Sequence, residues 1–360
     1  MPLARRRFLE IAGAATAGLL PGMVSAQAKR PAPPPVVPIH YQPREGAFWD
    51  HWLLRAGDGT YHLFYLYEPP GVPEAVRRKS WSVGHATSRD MKTWREQPVA
   101  LAPGRDTWVD RGYATGSAIQ FGRRYAMFLT GTGRRAAGLT VAWSDDLLRW
   151  SVPATEPELP PAGQWYETPQ QMSTNPPECA GWADPYLVRK PGEDAVYAVI
   201  NARVRDGEMF GRGSFALARS TDMVRWTMLP PLFVPGYCTR CETPQMFTRN
   251  GRWYLLASMW PKLLTQPFKD QHPDERYAAA ALVWTAERFE GPYRLVGDWA
   301  LFPHQKCYIC KVIEAPDHGD VITTIRMDHR NGRSTAGLSP AYRVSYPAEG
   351  GVRVHLDQPL

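Results

Sequence analysis

The chain alternates short apolar runs with turn-forming clusters, and the runs come in pairs. "HWLLRA" (51–56), "GSAIQF" (116–121), "PYLVRK" (185–190) and "PQMFTR" (244–249) are followed by the turns "GDG", "GRR", "PGED" and "NGR". Each turn leads into a second, more apolar run: "YHLFYLY" (61–67), "YAMFLTGT" (125–132), "AVYAVINAR" (195–203) and "WYLLASMW" (253–260). Short runs rich in aromatic and β-branched residues, bounded by Gly, Pro, Asn and Asp, predict strands joined as hairpins. A third segment repeats after each pair: "HATSRDMKTW" (85–94), "VAWSDDLLRW" (141–150) and "LARSTDMVRW" (217–226). A fourth, "LVWTAERFEGPY" (282–293), keeps the place but has lost the Asp and the Trp. A fifth unit opens the same way with "CYICKVIEA" and "GDVITTIRM" (307–327). Self-similarity at such a period marks an array of like units. Five small sheets set radially make an all-β fold, a five-bladed β-propeller, as a single domain. A β-sandwich would give no reason for the repeated turn-then-Trp edge.

Composition fits. Thirty-five Pro and thirty Gly supply turns, and fourteen Trp with sixteen Tyr suit the aromatic surface of a sugar-binding cleft. The formal charge of +7 is inflated by the first residues. "ARRRFLEIAGAATAGLLPGMVSAQA" has a basic start, an apolar stretch and a small-residue exit, and resembles a twin-arginine export signal over residues 1–26. Without it the charge falls to roughly +5. "KRPAPPPVVP" (29–38) reads as an extended linker within 27–38, leaving 39–360 for the propeller. The expected location is the periplasm or the medium, with no membrane partner after signal removal. The remaining Lys and Arg are scattered, which argues against nucleic acid.

The innermost strand of each blade lines the central channel, and its first residues open into a funnel. Those residues are Asp50 in "FWDHW", Ser117 in "TGSA", Asp184 in "GWADPYLV", Glu242 in "CETPQMF" and His304 in "PHQKCYIC". Three carboxylates from three blades are expected at one funnel. Clustered carboxylates repel, so one should hold a proton beside an ionised neighbour, as glycosidic bond cleavage needs. Trp49, His51, Trp52, Ser117, Trp182, Arg240 and His304 are the expected substrate-binding side chains, and no cofactor is required for the chemistry. The partner is then an oligo- or polysaccharide or another glycoside.

These segments resemble the five-bladed propeller glycosidases of the invertase, levanase and inulinase group (glycoside hydrolase family 32), with features of the arabinanase and xylosidase relatives (family 43). "HYQPREGAFWDHWLLRAGDGTYHLFYLYEP", "VGHATSRDMKTWREQPVAL", "TGSAIQF", "ADPYLV", "CETPQMF" and "AGLSPAYRVSYPAEGGVRV" carry the likeness across nearly all of the propeller. The resemblance implies a nucleophile at Asp50, a transition-state stabiliser at Asp184 and an acid/base at Glu242. A β-sandwich usually follows the propeller in that group; the chain stops after the propeller, and the expectation is that the sandwich is absent. Three positions depart from the invertase pattern: Trp49 stands for Asn, Ala183 for Arg and Thr243 for Cys. A fructoside or an arabinoside is the favoured substrate class. A non-catalytic sugar-binding propeller and a metal-binding protein are the alternatives.

The cysteines stand apart from the resemblance. Cys238-x-x-Cys241 and Cys307-x-x-Cys310 open innermost strands of neighbouring blades. Two such pairs often make a four-thiolate zinc site, and the expectation is one cluster between blades four and five. Disulfides are the alternative in an exported protein.

Overall fold

Five sheets, each traced outward from a central strand, account for nearly all regular structure. The computed structural model describes residues 36–72, 80–159, 163–272, 280–296, 301–302, 306–330 and 333–360. The expected export signal, most of the linker and His304 lie outside them. Blade one is β1 (Ala47–Arg55), β2 (Tyr61–Glu68), β3 (Ser82–Ser88) and β4 (Arg95–Leu101). Blade two has β5 (Gly112–Phe121), β6 (Arg124–Thr132) and β7 (Ala137–Ser144), its outer edge finished by the bridges Leu139–Leu159 and Trp143–Ser151. Blade three is β8 (Ala183–Arg189), β9 (Val196–Arg203), β10 (Gly213–Ser220) and β11 (Thr227–Phe233). Blade four is β12 (Glu242–Arg249), β13 (Arg252–Met259), β14 (Ala280–Ala286) and β15 (Arg294–Leu295). Blade five runs β16 (Cys307–Ala315), β17 (Gly319–Arg330), β19 (Tyr342–Ser345) and β20 (Arg353–Pro359), with β18 (Arg333–Leu338) paired beside β17. The ring is closed by the N-terminal segment, where Leu338 N–H donates to Tyr41 O at 2.9 Å.

The second strand of each blade is largely apolar because both of its faces are covered. On β2, Leu63 and Tyr65 pack toward blade five, whereas Phe64 and Leu66 pack toward blade two. On β9, Val199 faces blade four and Ile200 faces blade two. Alternate side chains thus feed the two neighbouring inter-blade cores. Complete burial of each such side chain stabilises by about 1.5–3 kcal/mol. Among the described residues, no helix is long and apolar enough to cross a membrane.

The sequence repeat is a turn. Ser88, Ser144 and Ser220 each accept an N–H from the residue three positions on, at 2.8–2.9 Å. Asp90, Asp146 and Asp222 each accept two more N–H groups. The apolar residue between, Met91, Leu147 or Met223, has φ near 60° and is buried. Trp150 and Trp226 then donate from Nε1 to the carbonyls of Leu147 and Met223. The motif is a side-chain-capped turn that finishes the third strand and starts the fourth.

The innermost strands share a second device. Register shifts interrupt β1 between Phe48 and His51, β5 between Tyr113 and Gly116, and β8 between Ala183 and Tyr186. The same happens in β12 between Glu242 and Gln245 and in β16 between Tyr308 and Cys310. A bulge breaks side-chain alternation and re-aims the residues within it. In β8 and β12 the bulge contains Pro185 and Pro244, whose missing N–H costs nothing where the ladder is already open.

Candidate active site

All five bulges lie at the same end of the channel, and three of them deliver a carboxylate. The three positions are not strictly equivalent. Glu242 is the last paired residue before its bulge, Asp184 the first residue inside its own, and Asp50 the second inside its own. Broken alternation brings the three together: the charge of Asp184 raises Asp50, and the charges of Asp184 and Asp50 raise Glu242. Asp184 and Thr243 adopt φ of 58° and 50°, a left-handed twist that a β-branched residue takes only when its surroundings enforce it.

Each acid has its own setting. Asp50 Oδ2 accepts from Thr115 Oγ1 at 2.6 Å. Burial, then Asp184, pushes its pKa up to about 6, against the Thr115 bond and Lys311. Asp184 Oδ2 accepts from Thr243 N–H at 3.1 Å and from Asn201 Nδ2 at 3.2 Å. Burial raises its pKa as well, and those two bonds, with Arg240 and Lys311, oppose the rise. Glu242 pairs with Arg240, Oε1 to Nη2 at 2.6 Å. Burial is still the largest influence on it, Arg240 opposes, and Asp184 and Asp50 add, so its pKa reaches about 8. Near neutral pH, Glu242 keeps its proton while Asp50 has lost its own. Two carboxyls separated in this way can act as acid and nucleophile.

Three members of the site were not singled out in the sequence: Thr115, Asn201 and Lys311. Thr115 lies two residues before Ser117 in "YATGSA", in the bulge of β5. Asn201 and Lys311 are polar residues inside apolar runs, and that mismatch is a usable signal. Asn201 joins Asp184 to the Cys241 N–H, whose hydrogen bond to Asn201 Oδ1 is 3.1 Å long. Lys311, buried on β16, donates from Nζ to the carbonyls of Thr243 and Pro244 at 2.8 and 3.1 Å. Burial lowers its pKa to about 8, while Asp184 and Asp50 hold it up. It thus clamps the bulge that follows Glu242 and places a cation beneath two of the acids.

The expected substrate-binding side chains divide. Trp49 is half-buried in the β1 bulge, tilted against Trp81 with ring centroids 6.5 Å apart. Arg240 is held on Glu242. The four others among the described residues face the core. His51 is fully buried, with Nε2 2.8 Å from Thr323 Oγ1 on blade five. Trp52 stacks on Phe64. Trp182 donates from Nε1 to Leu159 O at 3.1 Å. Ser117 is a strut between blades two and three, donating to Pro185 O at 3.0 Å and accepting from Leu187 N–H at 2.8 Å. His51, Trp52 and Ser117 follow the bulges of β1 and β5, where regular strand alternation resumes, whereas Trp182 precedes β8 and is held by its bond to Leu159.

The single four-cysteine cluster does not form. Cys238 and Cys241 pack in the core between blades three and four, with Phe215, Leu255 and Trp284. Cys307 and Cys310 pack between blades four and five, with Leu256, Val283 and Ile322. Leu255 and Leu256 are successive residues of β13 pointing to opposite faces, so the sheet of blade four separates the pairs. Among the described residues, no three His, Cys, Asp or Glu side chains are placed to hold a metal.

A buried ion pair supports the acid from behind. Arg203 Nε lies 3.0 Å from Glu167 Oε2, with both side chains nearly inaccessible. Arg203 also donates to Thr239 O, next to Arg240, and Asn175 and Arg212 complete the bonding of Glu167. Removing one partner of such a pair costs about 3–5 kcal/mol.

The Glycosyl hydrolases family 32 N-terminal domain model matches residues 40–308. The chain is 26% identical over 232 residues to sucrose-6-phosphate hydrolase of Bacillus subtilis, covering 61% of this chain and 43% of that protein. It is 43% identical over 81 residues to the extracellular exo-inulinase of Aspergillus niger, covering 22% of this chain and 14% of that protein. The chain therefore spans less than half the length of these curated relatives. Among solved structures, inulosucrase from Halalkalicoccus jeotgali bound to kestose superposes with a TM-score of 0.66 at 20% identity, over 89% of this chain and 91% of that one. Bacillus subtilis levansucrase gives 0.69 at 16% identity, over 90% and 89%. That structural likeness carries the fold, and the match of the family model over three quarters of the sequence carries the lineage: this chain belongs to glycosyl hydrolases family 32.

Proposed function

We propose that the protein is a glycoside hydrolase acting on β-fructofuranosides. The observation that carries this is the set of three carboxylates brought to one funnel by strand bulges, with Glu242 protonated where Asp50 is ionised. Asp50 attacks the anomeric carbon. Glu242 protonates the leaving oxygen and then takes a proton from the incoming water. Asp184, fixed by Thr243 N–H and Asn201, stabilises positive charge developing on the ring. Trp49 offers an aromatic face beside Asp50, and Arg240 contacts the acid directly. The similarity to a sucrose-6-phosphate hydrolase and an exo-inulinase supports the fructosyl class. The likeness to an extracellular relative, with the N-terminal pattern, supports export through residues 1–26, followed by a linker to residue 38 and the catalytic domain from 39.

The test is a substrate panel: sucrose, sucrose 6-phosphate, inulin, levan and aryl furanosides, including arabinofuranosides, with wild type and Glu242→Gln. Release of fructose by the wild type, strongly reduced in the variant, is the expected outcome. Turnover of arabinofuranosides alone would move the substrate class. Sugar binding without turnover of any of them would make the propeller a binding module.

A further inference from the structure

We propose that Cys238 and Cys241 form a disulfide that clamps the segment carrying Arg240 and Glu242. Their sulfurs lie 3.2 Å apart, and both residues are fully buried. Backbone hydrogen bonds set the positions of the two residues. Cys238 O accepts from Gly213 N–H at 2.8 Å, and Cys238 bridges to Leu264. Thr239 N–H donates to Leu263 O at 2.7 Å, and Thr239 O accepts from Arg203. Cys241 N–H is held by Asn201. The loop lies so close on Gly213 that a Cβ there would meet Arg240 N and Cys238 O at 2.6 Å. A frame this rigid holds the two sulfurs in contact, and a small side-chain rotation closes the bond. The other pair differs: Cys307 and Cys310 flank the β16 bulge, and Cys310 Sγ contacts Thr324 Oγ1 at 3.6 Å.

The chemistry is thiol–disulfide exchange with a small-molecule disulfide such as oxidised glutathione, or with a disulfide-bearing oxidoreductase. One cysteine, as thiolate, attacks the oxidant disulfide and expels one thiol. The second cysteine then attacks the mixed disulfide and expels the other. Two protons and two electrons leave the protein, and the oxidant becomes two thiols. Because both cysteines are buried in the closed fold, exchange takes place after export, while the loop is open. The bond would hold Arg240 on Glu242 from one side while Asn201 ties the same loop to Asp184.

Trypsin cuts after Arg240, between the two cysteines, so only a disulfide keeps the two resulting peptides together. Protein exported to an oxidising compartment is quenched with acid, alkylated in denaturant without reductant, and digested. The expected result is one linked peptide pair that separates on reduction. Two separate peptides, each alkylated at its cysteine, would overturn the proposal. This mapping reads the bond whether or not the protein hydrolyses a fructoside. The clamp is tested on wild type: reduction should lower Tm and lower kcat several-fold, to the level of Cys241→Ala. Oxidised and reduced protein with the same Tm and kcat would refute the clamp.

Discussion

Two sets of three acids occupy opposite regions of the propeller, and the same chemical group behaves in opposite ways. At the outer turns, Asp90, Asp146 and Asp222 each receive at least two backbone N–H groups. Those bonds outweigh burial, and the carboxyls stay below the usual range, Asp90 at about 2. At the channel mouth, Asp50, Asp184 and Glu242 are raised, because burial, joined at Asp50 and Glu242 by repulsion from neighbouring carboxylates, outweighs the few donors that reach them. The outer acids are the ones the repeat copies. The inner acids come from the places where the repeat is broken by a bulge. Regularity marks what builds the blade, and departure from it marks where the chemistry is proposed.

The contrast is broken most sharply by neutralising one acid of each kind. Glu242→Gln should lower kcat by roughly 10²–10⁴ on substrates with poor leaving groups and far less on activated aryl glycosides. Asp222→Asn should leave kcat unchanged. Comparable losses from the two changes, measured in one steady-state assay, would erase the distinction.

The pH profile sharpens it further. The proposed mechanism needs Asp50 ionised and Glu242 protonated, so kcat/KM should be bell-shaped, with limbs near about 6 and about 8. Thr115→Val removes a bond that lowers the Asp50 pKa, and Lys311→Met removes a cation that does the same, so both should shift the acid limb upward. Arg240→Met removes the cation that lowers Glu242 and should move the basic limb upward. A limb that stays in place when its partner is removed would detach that partner from the acid.

Stability should respond with opposite sign in the two regions. Asp50 has a folded pKa above its unfolded value, so its carboxyl favours the fold at low pH and loses that contribution as pH rises from about 4 through about 6. Asp50→Asn should therefore stabilise the protein at pH 7 relative to pH 4, on the order of 1–3 kcal/mol by thermal or denaturant unfolding. Asp222→Ala, which removes a satisfied cap, should destabilise by about 1 kcal/mol. That is the smallest of these effects. It should shrink on acidification, because a lowered carboxyl loses its stabilising effect as pH falls through its folded pKa.

The alternation of apolar runs and turns was enough to specify five blades, because strand period and turn chemistry are local properties of the chain. The resemblance of "FWDHW", "ADPYLV" and "CETPQMF" was enough to name three acids, because each lies in a short contiguous motif. Which side chains surround those acids was decided only in three dimensions. Trp52 and Trp182 each stand two residues from an acid, Asp50 and Asp184, yet both side chains lie in inter-blade cores. Lys311 lies more than 60 residues beyond Glu242 in the chain, yet it reaches the carbonyl of the very next residue. The cysteines teach the same lesson in reverse. Their spacing suggested one metal site, and the thickness of a single sheet keeps the pairs apart, because two faces of one strand cannot meet.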